Sequence, residues 1–419
     1  MNASKTIWIA RLIAACILLF TPIAHASEFS PGRGISFDQW VTWPDTSRWN
    51  DADVLENFPE WQNFITNEDI AKLAEVGLTT VRVPVDPAFY IFGEDSDRQA
   101  IILQGVHKAI ERITSSGLNV IVDLHTINRG DESEAVGTTQ ILDDDLTFIS
   151  YLEFVSEIST ELTRYDTAQV ALELLNEPQY ECGKSDLAAL WQAQLGQLHA
   201  AARKANSAIT LVLPGACYAS ADGLAQIDPK RFNDDNIIWT FHSYEPFILT
   251  HQSANWVGKP VSAFRDLPYP PSALDKTVVH NLPLANKRFI DSSLSGLSRS
   301  NAGWYIRNEI EEWGDDDKLR EYLEKPFVIA ARWAKQHGIA PNEIFLGEFG
   351  FIAQEYGNDF KTDPQWRIAY LKDMIGLAEQ YGFGWSMWSY GGAFGMVQTF
   401  GGEPMPGDLL QKLDLQNAN

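Results

Sequence analysis

The sequence has few of the residue patterns that usually mark a metal or nucleotide site. It contains three cysteines in 419 residues, with no Cys-x-x-Cys pair and no His-Glu-x-x-His run. The two common kinds of zinc site are therefore not expected. The spaced pair Gly32 and Gly34 is too short a motif to indicate dinucleotide binding. We expect neither a metal nor an organic cofactor.

Positive charge is also scarce. The chain has 32 Lys and Arg against 56 Asp and Glu, which gives a formal net charge of −24. Such a surface repels phosphate backbones and anionic lipids, so nucleic acids and membrane surfaces are not expected as partners. The 14 tryptophans offer flat apolar faces that suit neutral sugar rings.

The apolar run at the N-terminus is too short to span a membrane. It covers residues 12–20, well below the ~20 residues that a spanning helix needs. Lys5 and Arg11 precede it, and Ala24 and Ala26 give the small-x-small pattern that signal peptidase needs. The pattern predicts a signal peptide over residues 1–26.

Two alternatives exist for this segment, a membrane anchor and a lipoprotein signal that ends at Cys16. Only four residues separate Arg11 from that cysteine, and the apolar run continues past it. Cleavage after Ala26 is favoured. We then expect a single domain over residues 27–419, exported to the periplasm or the medium, monomeric and free of the membrane.

Strand and helix patterns alternate along the rest of the chain. Short apolar, β-branched runs are each followed by a stretch of helical periodicity. The candidate strands are residues 34–37, 80–85, 119–125, 169–176, 209–214, 237–244, 344–349 and 384–389. The candidate helices are residues 67–76, 100–116, 145–165, 185–206, 318–337 and 364–381. This order predicts an α/β fold, a single (β/α)₈ TIM barrel, with one long excursion after strand six at residues 247–314.

In a barrel of this kind, the active site lies at the C-terminal ends of the strands. Six of the predicted strands end in polar or aromatic residues. These residues are Arg82, His125, Asn176 with Glu177, His242 with Tyr244, Glu348 and Trp388. Any one of them has a structural explanation, such as a hydrogen-bonded histidine or a tryptophan in the core. The complete set at one end of the barrel predicts a functional site.

Two of these residues are carboxylates on strands that face each other. Paired carboxylates divide the work of glycoside hydrolysis between a proton donor and a nucleophile or base. Arg82 and Tyr244 would keep Glu348 ionised, as a nucleophile requires. Glu177 has no neighbouring cation in the sequence, so desolvation would keep it protonated until it acts as acid and then as base.

The other four residues have supporting roles in this interpretation. Asn176 is expected to hold the sugar 2-hydroxyl. His125 and His242 would orient sugar hydroxyls or tune Glu177, and Trp388 would lie under the sugar ring.

The same residues resemble the signature of glycoside hydrolase family 5, whose catalytic glutamates lie on barrel strands four and seven. The family pattern Arg, His, Asn-Glu, His-x-Tyr, Glu and Trp is matched in chain order over about residues 32–395. The resemblance implies a retaining double displacement, with Glu177 as acid/base, Glu348 as nucleophile and no metal. Retention predicts about 5–5.5 Å between the two carboxyl groups.

The sequence gives less information about the substrate than about the reaction. The acidic charge disfavours uronic-acid polymers and suits neutral glucans or mannans. Endo-β-1,4-glucanase is the most frequent activity of the family and is our expectation. The alternatives are β-mannanase, β-1,3-glucanase and transglycosylase, or, from a different class, a glycan-binding barrel that no longer hydrolyses.

Aromatic residues in the loops are candidate contacts to the glycan. The segment 247–256, with His251, Gln252 and Asn255, is expected to form one wall of the cleft. The loop tryptophans either stack on sugars or pack loops onto the barrel. They are Trp40, Trp43, Trp49, Trp61, Trp256 and Trp304. The acidic runs at 143–145 and 315–317 are interpreted as solvated faces and not as calcium sites.

Two cysteines remain after the predicted cleavage. Cys182 follows strand four and Cys217 follows strand five, so their loops are neighbours. We expect a disulfide that braces the rim beside Glu177, with two buried thiols as the alternative.

Overall fold

The computed structural model describes residues 29–38, 65–92, 96–126, 137–271, 301, 304–305, 308–309, 312–355, 357–399 and 403–416. The predicted signal peptide lies outside the described residues. So do Trp40, Trp43, Trp49 and Trp61, and most of the excursion beyond residue 271.

Eight parallel strands form a closed barrel in chain order, and β8 pairs with β1. The strands are β1 Arg33–Ser36, β2 Thr80–Val85, β3 Asn119–Leu124, β4 Val170–Glu173, β5 Thr210–Pro214, β6 Ile237–His242, β7 Ile344–Phe349 and β8 Gly384–Met387. The predicted (β/α)₈ barrel is confirmed.

Helices connect the strands on the outside of the barrel. In the described ranges they are α1 Asn67–Glu75, α2 Ala88–Phe92, α3 Ser96–Ser115, α4 Thr138–Asp143, α5 Asp145–Glu161, α6 Ser185–Ala205, α7 Ala216–Ala219, α8 Ala221–Leu224, α9 Phe247–Thr250, α10 Asp316–His337, α11 Pro364–Tyr381 and α12 Leu409–Lys412. Short 3₁₀ turns are Leu162–Arg164, Pro229–Arg231, Asn255–Val257, Val261–Ala263, Pro341–Glu343 and Gly392–Phe394. In the part of the chain that the structure describes, no helix is both long and apolar enough to cross a bilayer.

The acidic runs begin two of these helices. The Asp144 side chain accepts a hydrogen bond from the Thr147 amide at the start of α5. Asp315 does the same for the Lys318 amide at the start of α10. These carboxylates satisfy the free amides of the first helical turn and oppose its positive dipole end. The runs are therefore helix caps.

The interior of the barrel changes from apolar to polar toward the C-terminal ends of the strands. The lower layer is a buried apolar cluster of Phe29, Ile121, Ala171, Val212, Ile238 and Phe345. Two residues further along β3 and β4, on the same inward face, come Asp123 and Glu173, both fully buried. Since alternate residues of a strand share a face, this polar layer lies directly above the apolar one, at the mouth of the barrel.

Several strands are shorter than the sequence predicted, and β8, for example, ends at Met387, one residue before Trp388. β4 ends at Glu173, three residues before Asn176, and β6 ends at His242, two residues before Tyr244. Backbone bonding continues past the end of β4, because the Asn176 amide donates to the Leu124 carbonyl at 3.0 Å. Asn176 and Tyr244 therefore lie on loops that the strands still hold in place.

Candidate active site

Arg82 is the centre of a buried ionic cluster at the mouth of the barrel. Its side chain is inaccessible to solvent. The guanidinium donates from Nε to Glu173 Oε2 at 2.7 Å and from Nη1 to Glu348 Oε1 at 2.7 Å. Its Nη2 donates to Asn176 Oδ1 at 2.6 Å and lies 3.0 Å from Asp123 Oδ2. One cation thus orients four side chains from β3, β4, β7 and the loop after β4.

Three carboxylates lie beside this single cation, and burial shifts pKa values within the cluster. Desolvation raises the pKa of Asp123 to about 7 and also raises the pKa of Glu173, although Arg82 opposes both shifts. Burial alone would lower the pKa of Arg82, but the three carboxylates raise it well above its usual value. Arg82 therefore stays charged, while burial of the two supporting acids opposes their ionisation.

Glu348 points into the barrel because β7 contains a bulge. The register between β6 and β7 shifts there, so that His242 pairs with Glu348 and Gly347 is the extra residue. A Cβ at position 347 would lie 2.5 Å from Thr240 Oγ1 and 2.9 Å from His242 Nε2. Only glycine fits this close approach, and the bulge turns the next side chain inward.

Two hydrogen-bond donors hold the two oxygens of Glu348. Arg82 donates to Oε1, and the Tyr244 hydroxyl donates to Oε2 at 2.9 Å. Burial and the nearby Glu348 raise the pKa of Tyr244 well above its usual value, so the hydroxyl remains a donor. A carboxylate with a cation on one oxygen and a hydroxyl on the other is stabilised in its ionised form.

Glu177 has a different environment. Its Oε1 lies 2.8 Å from His242 Nδ1. Desolvation raises the pKa of Glu177 to about 7. Burial lowers the pKa of His242 to about 4, so this imidazole is neutral near pH 7. Both groups in this hydrogen bond can be uncharged at the same time. Glu177 can therefore keep the proton that a carboxylic acid must have in order to donate it.

Glu177 and Glu348 are close to each other across the mouth. One carboxylate oxygen of each, together with a ring nitrogen of His242, lies within 4.8 Å of the others. A bond placed between the two carboxylates would have an acid on one side and an ionised nucleophile on the other.

His125, Asn176 and Trp388, which follow β3, β4 and β8, form a connected group in the site. His125 Nδ1 lies 2.9 Å from Asp123 Oδ2, and its Nε2 lies 3.1 Å from the Asn176 amide nitrogen. With Asn176 donating at Nε2, the ring proton is assigned to Nδ1 and points to Asp123. The Trp388 ring stacks on His125, with centroids 5.3 Å apart and planes at 21°. Trp388 also lines the cleft.

These residues line a cleft of about 920 Å³. The predicted wall after β6 is present in part, since Phe247, His251 and Trp256 line the cleft. Gln252 does not, because its amide bonds to the Leu267 backbone inside the fold. Trp304 is 61% exposed and does not line the cleft.

Cys182 and Cys217 form a disulfide with their Cα atoms 4.8 Å apart. It joins the loop after β4 to the turn after β5, beside Glu177.

Sequence reasoning did not assign three acidic residues that the structure brings to the site. Asp123 and Glu173 support Arg82 from within the barrel. Asp38 lines the cleft and accepts from the Gly391 amide at 3.1 Å, and burial raises its pKa to about 6. The sequence did contain a signal for Asp123 and Glu173, which lie in the apolar runs Val-Asp-Leu and Leu-Glu-Leu. Burying an acid in such a strand costs free energy unless the acid has a buried partner.

Two groups of described side chains have the spacing of metal ligands. They are Asp123, His125 and Glu348, and Glu177, His242 and Glu348, each with ligand atoms within 4.8 Å. Glu348 belongs to both groups and already binds the Arg82 guanidinium. A second cation beside that charge would be repelled, so we assign these groups to acid–base chemistry.

Comparison with known proteins agrees with this geometry. The family model "Cellulase (glycosyl hydrolase family 5)" matches residues 36–394. The chain is 22% identical to endoglucanase 3 of Fibrobacter succinogenes over 415 residues, 95% of this chain and 54% of that protein. It therefore spans about half the length of that relative. It is 26% identical to endoglucanase C of Acetivibrio thermocellus over 340 residues, 79% of this chain and 85% of that protein.

Solved structures share the fold. Endoglucanase Cel5A from Thermotoga maritima superposes with a TM-score of 0.62 at 20% identity, covering 91% of this chain and 97% of that one. Other structures of that enzyme contain cellobiose and mannotriose. The family match extends over most of the barrel and includes every residue of the site. The chain therefore belongs to the cellulase family, glycosyl hydrolase family 5, and is a glycoside hydrolase.

Proposed function

We propose that the protein is a retaining endo-β-1,4-glucanase that cuts neutral β-glucan by double displacement. The observation that carries the proposal is the pair Glu177 and Glu348, whose nearest ligand oxygens are within 4.8 Å and whose environments differ in charge. Inverting enzymes need about 6.5–9.5 Å between the carboxyl groups, because a water must fit beside the sugar. Oxygens of the two carboxylates that approach this closely favour direct attack by one carboxylate over attack by a water held between them.

In the first step, a Glu348 oxygen attacks the anomeric carbon while Glu177 gives its proton to the departing glycosidic oxygen. A covalent glycosyl-enzyme ester results. In the second step, Glu177, now ionised, takes a proton from water as that water attacks the same carbon and releases Glu348. The Tyr244 hydroxyl and Arg82 stabilise the Glu348 carboxylate when it attacks and again when it leaves.

The remaining side chains position the sugar in this mechanism. Asn176 has its Oδ1 on Arg82 and its amide group on His125, so it is rigid before substrate binds. A rigid amide beside the reacting carbon suits a hydrogen bond to the 2-hydroxyl that strengthens in the transition state. Trp388 presents its free face to the sugar ring.

The preference for β-1,4-glucan rests on the relatives, which are named endoglucanases. β-Mannan is the second candidate, because the similar Thermotoga maritima enzyme was solved with mannotriose as well as cellobiose. β-1,3-Glucan and transfer to a sugar acceptor remain further alternatives. We also propose that the protein is exported after cleavage of residues 1–26 and acts as a monomer.

Product analysis on neutral polysaccharides tests this function. Barley β-glucan, carboxymethylcellulose, glucomannan, laminarin and xyloglucan are incubated with the wild type and with Glu348→Gln. We expect oligosaccharides from β-1,4-glucans, first appearing as the β-anomer in a proton NMR time course, and none from the variant. Initial release of the α-anomer would contradict double displacement. Binding to a glycan without any cleavage would favour the glycan-binding alternative.

A further inference from the structure

We propose that Asp123 is a positioning residue for the sugar 2-hydroxyl, because it fixes the orientation of the Asn176 side-chain amide by acting through His125. The inference rests on the proposed function, in which Asn176 binds that hydroxyl, and it gives Asp123 a task beyond balancing the charge of Arg82. It is carried by a closed ring of contacts, by the burial of the ring and by the donor and acceptor roles that its atoms must take.

Four side chains form this ring. Asp123 Oδ2 lies 2.9 Å from His125 Nδ1, and His125 Nε2 lies 3.1 Å from the Asn176 amide nitrogen. Arg82 Nη2 closes the ring, since it donates to Asn176 Oδ1 at 2.6 Å and lies 3.0 Å from the same Asp123 oxygen. Asp123 and Arg82 are inaccessible to solvent, and Asn176 is buried. Water therefore competes little for these contacts.

The direction of each hydrogen bond follows from the groups involved. A guanidinium has no acceptor atom, so Asn176 must turn its oxygen to Arg82. The amide nitrogen of Asn176 then lies beside His125 and donates to Nε2. Burial lowers the pKa of His125 below its usual value, so the imidazole is neutral near pH 7 and carries its single ring proton on Nδ1. This proton points to Asp123, which accepts it.

An acceptor at position 123 therefore selects one tautomer of His125. The other tautomer would place its proton on Nε2, where it would meet the amide hydrogens of Asn176. Half a turn of the Asn176 amide would remove that conflict but would set its NH₂ group against the Arg82 guanidinium. Either arrangement leaves buried polar groups unpaired. Asp123 thus determines which way the amide of Asn176 faces.

The orientation of this amide bears on the reaction. Asn176 lines the cleft, and within the described ranges His125 is the one hydrogen-bond partner of its amide nitrogen. The second amide hydrogen is left for the sugar. A hydrogen bond to the 2-hydroxyl strengthens as the anomeric carbon gains positive character in the transition state. A misplaced amide should therefore lower transition-state stabilisation and not only binding.

Two activated substrates isolate the 2-hydroxyl contact. Both are dinitrophenyl glycosides of the disaccharide from the β-glycan that the protein cuts. The second substrate lacks the 2-hydroxyl on the sugar that bears the leaving group. For Asp123→Ala, we expect the ratio of kcat/KM for the first substrate to that for the second to fall about tenfold.

Asp123→Asn is the conservative variant. Asp123 Oδ1 has no hydrogen-bond partner among the described residues, so an asparagine can place its oxygen where Oδ2 lies and its NH₂ group where Oδ1 lies. This oxygen can still accept from His125. We expect the ratio to stay near that of the wild type, even though a buried, unpaired NH₂ group lowers stability.

Glu173→Gln is the matched control. Glu173 is an equally buried acid that accepts from Arg82 Nε and Nη2, and it is hydrogen-bonded to neither His125 nor Asn176. The change should affect both substrates alike, through Arg82, and leave the ratio unchanged.

Nitrogen NMR of the folded protein measures the tautomer of His125 directly. We expect the ring proton on Nδ1 in the wild type and in Asp123→Asn, and a substantial population with the proton on Nε2 in Asp123→Ala. The His125 signals are identified by their loss in His125→Gln. The wild-type spectrum needs no variant at position 123, so it tests the inference even if Asp123→Ala does not fold.

The outcomes separate the inference from the function on which it rests. An unchanged ratio for Asp123→Ala, or a wild-type His125 with its proton on Nε2, would overturn the inference while hydrolysis stands. Asn176→Ala should lower the ratio at least as far as Asp123→Ala, and an unchanged ratio there would overturn the inference together with the role of Asn176. A wild type that cleaves neither glycoside nor any β-glycan would overturn the proposed function itself.

Discussion

At the scale of single residues, the chemistry depends on two glutamates that differ in their neighbours. Glu348 has a cation on one oxygen and a hydroxyl on the other. Glu177 has a neutral imidazole beside it, and desolvation raises its pKa to about 7. The same side chain is thus an ionised nucleophile at one position and a proton donor at the other.

The pH dependence of cleavage should report this difference. Glu177 must be protonated to act as an acid, and its raised pKa of about 7 keeps the proton on up to that pH. We expect kcat/KM for an oligosaccharide to fall as the pH rises through about 7. For a dinitrophenyl glycoside, whose leaving group departs as a stable anion, the fall near pH 7 should be absent.

Glu177→Gln provides the matched variant for this experiment. It should lower kcat/KM for the oligosaccharide by about 10²–10⁴, the usual contribution of a general acid, and should affect the dinitrophenyl substrate much less. Equal losses on both substrates would assign Glu177 a role other than proton donation.

At the scale of elements, the bulge in β7 determines where the nucleophile points. Gly347 is required because Thr240 and His242 occupy the space that a side chain would need. The bulge places both Gly347 and Glu348 against the interior, which regular alternation along a strand does not allow.

Gly347→Ala should therefore damage both stability and activity. The added methyl group would overpack the barrel, at a cost of about 1–3 kcal/mol in the free energy of unfolding. It would also displace Glu348 and lower kcat. Urea unfolding and turnover of β-glucan measure the two effects.

Gly376→Ala in α11 is the control, since its Cβ would meet nothing within 4 Å. Alanine is a better helix former there by about 0.5–1 kcal/mol, so this variant should be slightly more stable and fully active. A Gly347→Ala protein that behaved like the control would contradict the role of the bulge.

At the scale of the whole molecule, the negative charge should influence the choice of substrate. The chain carries a formal net charge of −24. Anionic polymers are repelled by such a surface, and salt screens the repulsion.

We expect kcat/KM for carboxymethylcellulose to increase several-fold between about 0.01 M and about 0.15 M salt, as the Debye length falls from about 30 Å to about 8 Å. Activity on uncharged barley β-glucan should stay nearly constant over the same range. Similar salt responses for the two polymers would show that the surface charge does not act on the substrate.

The barrel and the order of its site residues were predictable from the sequence because their signals are local. Apolar runs and helical periods revealed the strands and helices, and polar residues within and just after the strands revealed Arg82, Glu177 and Glu348. Neighbouring loops were enough to pair Cys182 with Cys217, since adjacent parallel strands end side by side.

Only the tertiary structure decided how these residues work. Arg82 and Glu348 are 266 positions apart in the chain, and no local pattern reveals that Asp123 and Glu173 complete their cluster. The raised pKa of Glu177, the bulge at Gly347 and the contacts that join Asp123 to Asn176 likewise arise from packing between distant segments. A sequence specifies local conformation and burial tendency, whereas desolvation, charge pairing and backbone strain depend on what the completed fold places around each group.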